Sequence, residues 1–372
     1  MRNPVMRLHP ATLLIVCVLF FSLSARVSAQ EGNVPDGEGL PSVQDYTEGM
    51  QAHPGFFPLY WDEGGGRLLL EVGRLDEPFL YMTSLATGIG SNPLGLDRGN
   101  IQSVWVARFR RVGPRVLLQL DNPRFRAETN PTAALVRSVE ESFPTSTIGG
   151  FTAVAEEDGR VLVDATSFFL QDAVGVSARL SGANQGTFRL VADRSAIHLP
   201  RTRVFPENTE VEASLTFASD RPGGEIRRHT PDPRSLTLRQ HHSLVQLPDE
   251  GYTPRRFDPR VGLFPVSYYD FGKSMTEDYQ SAWAMRHRLA KANPSAEMSE
   301  PVEPIIYYLD PAVPEPYRSA FKLGGEWWNR VYEAAGYINA FQVVDMPEDM
   351  DPMDARYHVV QWIQRTQSGS SI

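Results

Sequence analysis

The chain has 372 residues, 41% of them hydrophobic and 22% charged, with a formal net charge of −9. That composition excludes intrinsic disorder as the dominant state and supplies apolar side chains for two or three ordinary cores. The acidic balance opposes non-specific nucleic-acid binding, and 29 glycines with 29 prolines favour many short elements joined by turns.

Residues 1–29 read as a secretory signal peptide. Arg2 and Arg7 precede the apolar run Ala11–Leu23, and Val27-Ser28-Ala29 is a small-x-small cleavage signature. The run is short for a bilayer span, and no later stretch reaches 18 apolar residues, so the chain is expected not to span a membrane after signal removal. An exported location follows, periplasmic or extracellular in a bacterium. Cys17 is the single cysteine and leaves with the signal, which removes disulfides and thiolate chemistry from the mature protein. Loss of Arg2, Arg7 and Arg26 takes the charge from −9 to −12. Arginine supplies 33 of the 36 basic residues, which reads as codon bias rather than as a binding signature.

Residues 30–54 are rich in Gly, Pro and acid near their start and read as a flexible leader. From 55 to 250 the chain repeats short alternating runs between turn residues, the pattern of strands. They fall at Arg67–Val72, Phe79–Leu85, Ile101–Val112, Arg115–Leu120, Val161–Leu170, Thr187–Ala192, Glu210–Ala218 and Leu236–Leu247. In Glu210–Ala218 the residues Val211, Ala213, Leu215 and Phe217 are expected inside, with Glu212, Ser214 and Thr216 outside. One helix is expected at Pro131–Glu141. The fold class is therefore α+β, with a large antiparallel β-rich domain, a sandwich or open barrel.

Residues 251–300 form a connector broken by Pro254, Pro259 and Pro265, with one helix. Ser274 and Glu277 have capping-box spacing, and Tyr279, Ala282, Trp283, Arg286 and Leu289 share a helical face. From 301 the pattern changes again. Ile305–Leu309 reads as a strand, and apolar residues then recur at helical spacing from Tyr317 to Ala335, with Gly336 in the terminating position. Strands at Ala340–Val344 and Tyr357–Ile363 follow, the last apolar on both faces and so expected to be buried. Strand, helix, strand, strand opens an α/β unit.

Chemistry-bearing motifs are sparse. No two of the eight histidines sit four apart, so there is no H-E-x-x-H helix to present two imidazoles to zinc. His241-His242 lie side by side on a predicted strand, so their rings point to opposite faces and do not share a metal. Ser195 precedes His198 by three residues without a nucleophile motif around it. Gly88–Gly99 reads as a surface loop. Asp164 with Asp172, and the acidic run Glu348–Asp354, are calcium candidates that match no EF-hand and read as solvated acids. Arg255, Arg256 and Arg260 around Asp258 are expected to pin the connector by ion pairs. No residue is assigned as catalytic, cofactor-binding or metal-ligating, and nothing places two carboxylates together for a glycosidase. The sequence does not set the oligomeric state.

Three long strings carry a resemblance: "LPDEGYTPRRFDPRVGLF", "RHRLAKANPSAEMSEPVEPIIYYLD" and "VPEPYRSAFKLGGEWWNRVYEAAGYINAFQVVDMPEDMDPMDARYHVVQWI". They resemble a group of bacterial exported zinc-dependent metallopeptidases. The strings "LDRGNIQSVWVARFRRVGPRVLLQLDNPRFRA" and "FPENTEVEASLTF" resemble the uncharacterised β-rich region before their protease domain. The resemblance spans about Gly55 to Trp362 and implies that 301–372 is the incomplete N-terminal part of a metzincin-like catalytic domain. The full family hydrolyses peptides or proteins with a zinc-activated water and a glutamate base. Its H-E-x-x-H would follow the last residue here, so the chain reads as truncated before its zinc helix. No zinc binding is expected of this fragment, and activity is expected to be missing. The alternative is a non-catalytic β-rich binding or prosegment-like module, acting on an envelope substrate or a protease partner.

Overall fold

The structure, a computed structural model, describes residues 39–249 and 251–366. Residues 1–29, expected to be a signal peptide, and 30–38 of the expected leader lie outside the described part. Residues 39–54 of that leader are folded onto the sheet. Helix α1 (Val43–Tyr46), capped by the Ser42 hydroxyl, buries Val43 against Leu69, Ala155 and Leu162. Strand β1 (Gln51–His53) then joins the main sheet.

That sheet is antiparallel and nearly closed. Its members are β1, β2 (Leu59–Asp62), β3 (Arg67–Val72), β4 (Phe79–Leu85), β5 (Ile101–Val112) and β6 (Arg115–Leu120). After the two-residue β7 (Phe125–Arg126), which belongs elsewhere, come β8 (Ser146–Glu157) and β9 (Arg160–Asp164). The short β10 (Arg189–Leu190), β11 (Ala196–Ile197) and β12 (Arg203–Val204) precede β13 (Asn208–Ala218) and β14 (Ser235–Gln246). The order is β1-β2-β3-β9-β8-β6-β5-β4-β14-β13-β10, with β11 and β12 also on the outer edge of β13.

Turn chemistry fixes the hairpins. Asp158-Gly159, both at positive φ, join β8 to β9 with Glu157 opposite Arg160, the left-handed pair that matches strand twist. The sheet's two ends meet at a seam. Phe57 N donates to Thr209 Oγ1 and Thr209 Oγ1 donates back to Phe57 O, while Phe56 N donates to Phe205 O. Gly55 lies in that seam at φ +152°, where a Cβ would overlap Val204 and stand 2.6 Å from Phe205 O. The core inside is aromatic: Phe57 packs edge-on against Phe79 and Phe109, with Phe151 and Phe168 beyond.

Helix α2 (Ala133–Ser142) forms where expected, its Thr132 hydroxyl accepting from Leu135 N. The predicted strand Val161–Leu170 stops at Asp164, because Asp164 accepts from Thr166 N and Oγ1 and turns the chain into α3 (Thr166–Phe169). Asp172 likewise receives Val176 N and Ser177 N at the start of α4 (Val176–Gly182). Asp164 and Asp172 therefore each accept from first-turn N–H groups of a short helix. The loop Gly88–Gly99 is not a surface loop: Ile89, Leu94 and Leu96 sink into a second cluster with Leu215, Phe217 and the buried Ile226 of α5 (Gly224–His229).

The connector differs most from its sequence reading. No helix forms between Ser274 and Asn293. Ser274 and Glu277 make a single turn, and Gln280–Ala284 is a strand, β16, paired antiparallel to β15 (Pro265–Asp270). The small sheet β16-β15-β7 wins because Trp283 packs at a tilt against Tyr268 and both rings contact the Arg126 guanidinium, at 4.6 and 4.3 Å, tertiary contacts that outweigh local helical spacing. Asp258 pairs with Arg260 alone, in an exposed turn, so the expected ion-pair pin is absent there.

The last region is a parallel sheet in the order β18-β17-β19: β17 (Ile305–Leu309), β18 (Phe341–Asp345) and β19 (His358–Val360), with α6 (Tyr317–Ala334) between β17 and β18. The helix meets β18 through Gly325, whose missing Cβ makes room for Val343, and through Asn329, which exchanges hydrogen bonds with Phe341 N and O. Gly336 ends the helix at φ +87° as expected. Strand β19 is not buried. It is an edge strand paired only to β17, and its apolar alternation reflects partial cover on each face.

Candidate functional site: a charged floor beneath a cavity

Strands β13 and β14 carry opposite chemistries on their two faces. Toward the core lie Val211, Ala213, Leu215 and Phe217 with Leu236, Leu238, Gln240, His242 and Leu244. On the other face lie Asn208, Glu210 and Glu212, with Arg239, His241 and Ser243 across the pairing. The sequence expects Glu212 to face solvent, yet Glu210 and Glu212 are only 3% and 4% exposed. Residues from Met346 to Gln364 lie over this face and leave a cavity of about 1410 Å³ between. No alternation pattern could have disclosed that cover.

Buried charges persist only when paired, and here each is. His241 bonds through Nε2 to Glu210 Oε2, and through Nδ1 to Glu212 Oε1 at 3.4 Å. Glu212 Oε2 accepts from Arg239 Nη1 at 3.0 Å, and the same nitrogen donates to His198 Nε2 at 2.8 Å. Ser243 Oγ donates to Glu210 Oε2 and Asn208 Nδ2 to Glu210 Oε1, both at 2.6 Å. Burial pulls the pKa of His241 down, but the bonds to Glu210 and Glu212 outweigh it and push it up to about 9. With a carboxylate on each ring nitrogen, the imidazole is held as imidazolium. Burial and the Arg239 charge lower His198, leaving Nε2 free to accept.

His242, one residue on, has the opposite fate. It is fully buried among Tyr81, Phe168 and Phe169. Gln240 Nε2 donates to its Nε2 at 2.8 Å, so Nδ1 carries the proton toward Tyr81 Oη at 2.7 Å. Burial, with the neighbouring His241 charge second, lowers its pKa to about 3. The two adjacent rings do point to opposite faces, as the strand period requires.

Other sequence candidates disperse. Ser195 Oγ donates to Val191 O and accepts from Thr216 N, while His198 is committed to Arg239. Of the acidic run, Asp351 faces Arg201 and Arg203 at 3.6 and 3.9 Å, and Asp354 pairs with Arg356. Among the described residues no three His, Cys, Asp or Glu side chains converge as metal ligands. Glu210 and Glu212 are the carboxylate pair that sequence reading missed. Their spacing of two on a strand was the available signal, and in the fold His241 pairs with both while Arg239 pairs with Glu212.

Among the described residues no helix is long and apolar enough to cross a membrane. No curated protein and no solved structure matches the chain. A protein-family model described as "Domain of unknown function (DUF5117)" matches residues 99–292, from the entry of β5 through β13, β14 and the small β15–β16 sheet. The match includes the charged floor and its buried reverse face, and it covers more than half of the 372 residues, so the chain belongs to the DUF5117 family.

Proposed function

We propose that this chain is the N-terminal portion of an exported zinc-dependent metallopeptidase, its β-rich region preceding the opening of a metzincin-like catalytic domain. The observation that carries the reading is the unit β17-α6-β18-β19. Its strand, long helix and two further strands, all parallel, follow the element order that the sequence resemblance implies. In addition, α6 leaves Trp327, Trp328 and Val331 64%, 55% and 58% exposed. An apolar helix face of that kind fits a layer that receives more polypeptide.

In the resembled family zinc supplies the activated water for peptide hydrolysis. The donors described here do not fit that ion: His241 has both ring nitrogens on carboxylates, and Arg239 occupies the other oxygen of Glu212. No hydrolytic step is therefore derived from these side chains. The purified chain should take up no stoichiometric zinc and cleave no peptide, whereas the gene beyond codon 372 should encode an H-E-x-x-H within a few hundred bases. Tight zinc at one equivalent with peptidase turnover in the chain itself would overturn the reading. A second reading, a binding or prosegment-like module, draws on the cavity of about 1410 Å³. Pull-down with the separately expressed catalytic half, and loss of that half's activity on mixing, would favour it.

A further inference from the structure

The segment over the cavity meets the main sheet at two ends, with β19 paired to β17 between them. At one end Arg365 pairs with Asp97 at 3.2 Å, and Thr366 donates from N and Oγ1 to Gly90 O. At the other end the pin is one side chain, Asn208, which is fully buried. Its Nδ2 donates to Met353 O at 2.8 Å and its Oδ1 accepts from Ala355 N at 3.0 Å. The ion pairs beside it, from Arg201 and Arg203 to Asp351, are longer than hydrogen bonds and solvent-accessible, and such pairs contribute little.

Asn208 is itself aimed by the charged floor, because the same Nδ2 donates to Glu210 Oε1. Glu210 in turn is fixed by His241 and Ser243 on Oε2. His241 can satisfy Glu210 and Glu212 together only while both ring nitrogens carry protons. Removing either proton sets a nitrogen lone pair against a buried carboxylate and loosens the Glu210–His241–Glu212 bridge, through which Glu210 Oε1 aims Asn208. We propose that Asn208, set by the Glu210–His241 ion pair, is a latch that holds residues 351–357 closed over the cavity, and that loss of the His241 charge frees this segment while the main sheet and the β17–β19 pairing stay folded.

The groups that face His241 define the response. Glu210 and Glu212 of β13 favour its charge, and Arg239 on its own strand opposes it. Strand β4 presents the uncharged Met82 and Ser84, and His198, Arg201 and Arg203 flank the carboxylates. Across the cavity stand Asp310, Asp354, Tyr357 and His358, with Asp97 and Arg98 at its far end. The two touching carboxylates dominate, which agrees with the raised pKa of about 9.

Amide hydrogen exchange on the full chain tests the latch, with rates corrected for the intrinsic pH dependence. In the wild type, raising the pH from 7 to above 9 should speed exchange across 353–357 at least tenfold, with Ala355 N as the direct reporter, and leave β13, β14 and β19 protected. N208A should show the fast exchange already at pH 7 and no further response to pH. Unchanged protection of 353–357 in folded N208A, or a pH response that persists in it, would overturn the latch. Should N208A not fold, the wild-type series decides alone: loss of segment and sheet protection together would refute the latch, and loss of the segment's protection first would support it.

Discussion

The β-rich sheet and the C-terminal α/β unit solve the burial problem differently. In the sheet, Phe57, Phe79, Phe109 and Tyr81 are all about 1% exposed, and even the reverse face of β13 is covered. In the α/β unit the helix meets β18 through Gly325, Asn329 and the rings of Trp328 and Tyr332 beside Phe341, yet Trp327 and Trp328 stay more than half exposed. Both regions have strong apolar periodicity. The difference teaches that periodicity marks a face able to be buried, and only neighbours determine whether it is.

The largest expected effect sits in the aromatic core. Phe109→Ala should destabilise the fold by about 3–5 kcal/mol in chemical denaturation, since it empties a ring's volume in contact with Phe57, Phe79 and Phe151. Of similar rank is His241→Gln, which leaves Glu210 and Glu212 buried with Arg239 as their nearest cation. Breaking such a pair costs about 3–5 kcal/mol, and a double substitution that also replaces Glu210 by Gln should recover part of it.

The adjacent histidines should divide the pH profile between them. The folded pKa of His241 is raised, so its contribution is complete below about 6.5 and is lost as pH rises toward 9. The folded pKa of His242 is lowered to about 3, so burying it neutral is free of penalty above 6.5 and grows costly as pH falls toward 3. Urea midpoints measured across pH should fall on both sides, with His241→Gln flattening the alkaline limb and His242→Gln the acid limb. A profile whose two limbs ignore these substitutions would place the titrating groups elsewhere.

Smaller effects follow at the seam and the helix. Gly55→Ala combines a positive φ with overlap at Val204 and Phe205, for a loss of about 1–3 kcal/mol, read as a lowered melting temperature. Trp327→Ser on α6 should change stability by no more than about 0.5 kcal/mol, as at an open surface site. A loss above about 2 kcal/mol would mean that this face is covered in solution, and the contrast between the two regions would vanish.

The sequence by itself determined much of the secondary structure. Strands from Arg67–Val72 to β14, helices α2 and α6, the Gly336 stop and the opposed directions of His241 and His242 all follow from local periods and turn residues, whose physics acts within a few positions. Tertiary structure alone decided the strand at Gln280–Ala284, where a guanidinium packed against two touching rings outweighs helical spacing. It alone closed the seam at Phe57 and Thr209 and laid residues 346–364 over β13 and β14. That last placement turned an alternation of acids, which reads as a wet face, into a buried ion network: desolvation depends on what covers a side chain, and the covering residues lie more than a hundred positions away.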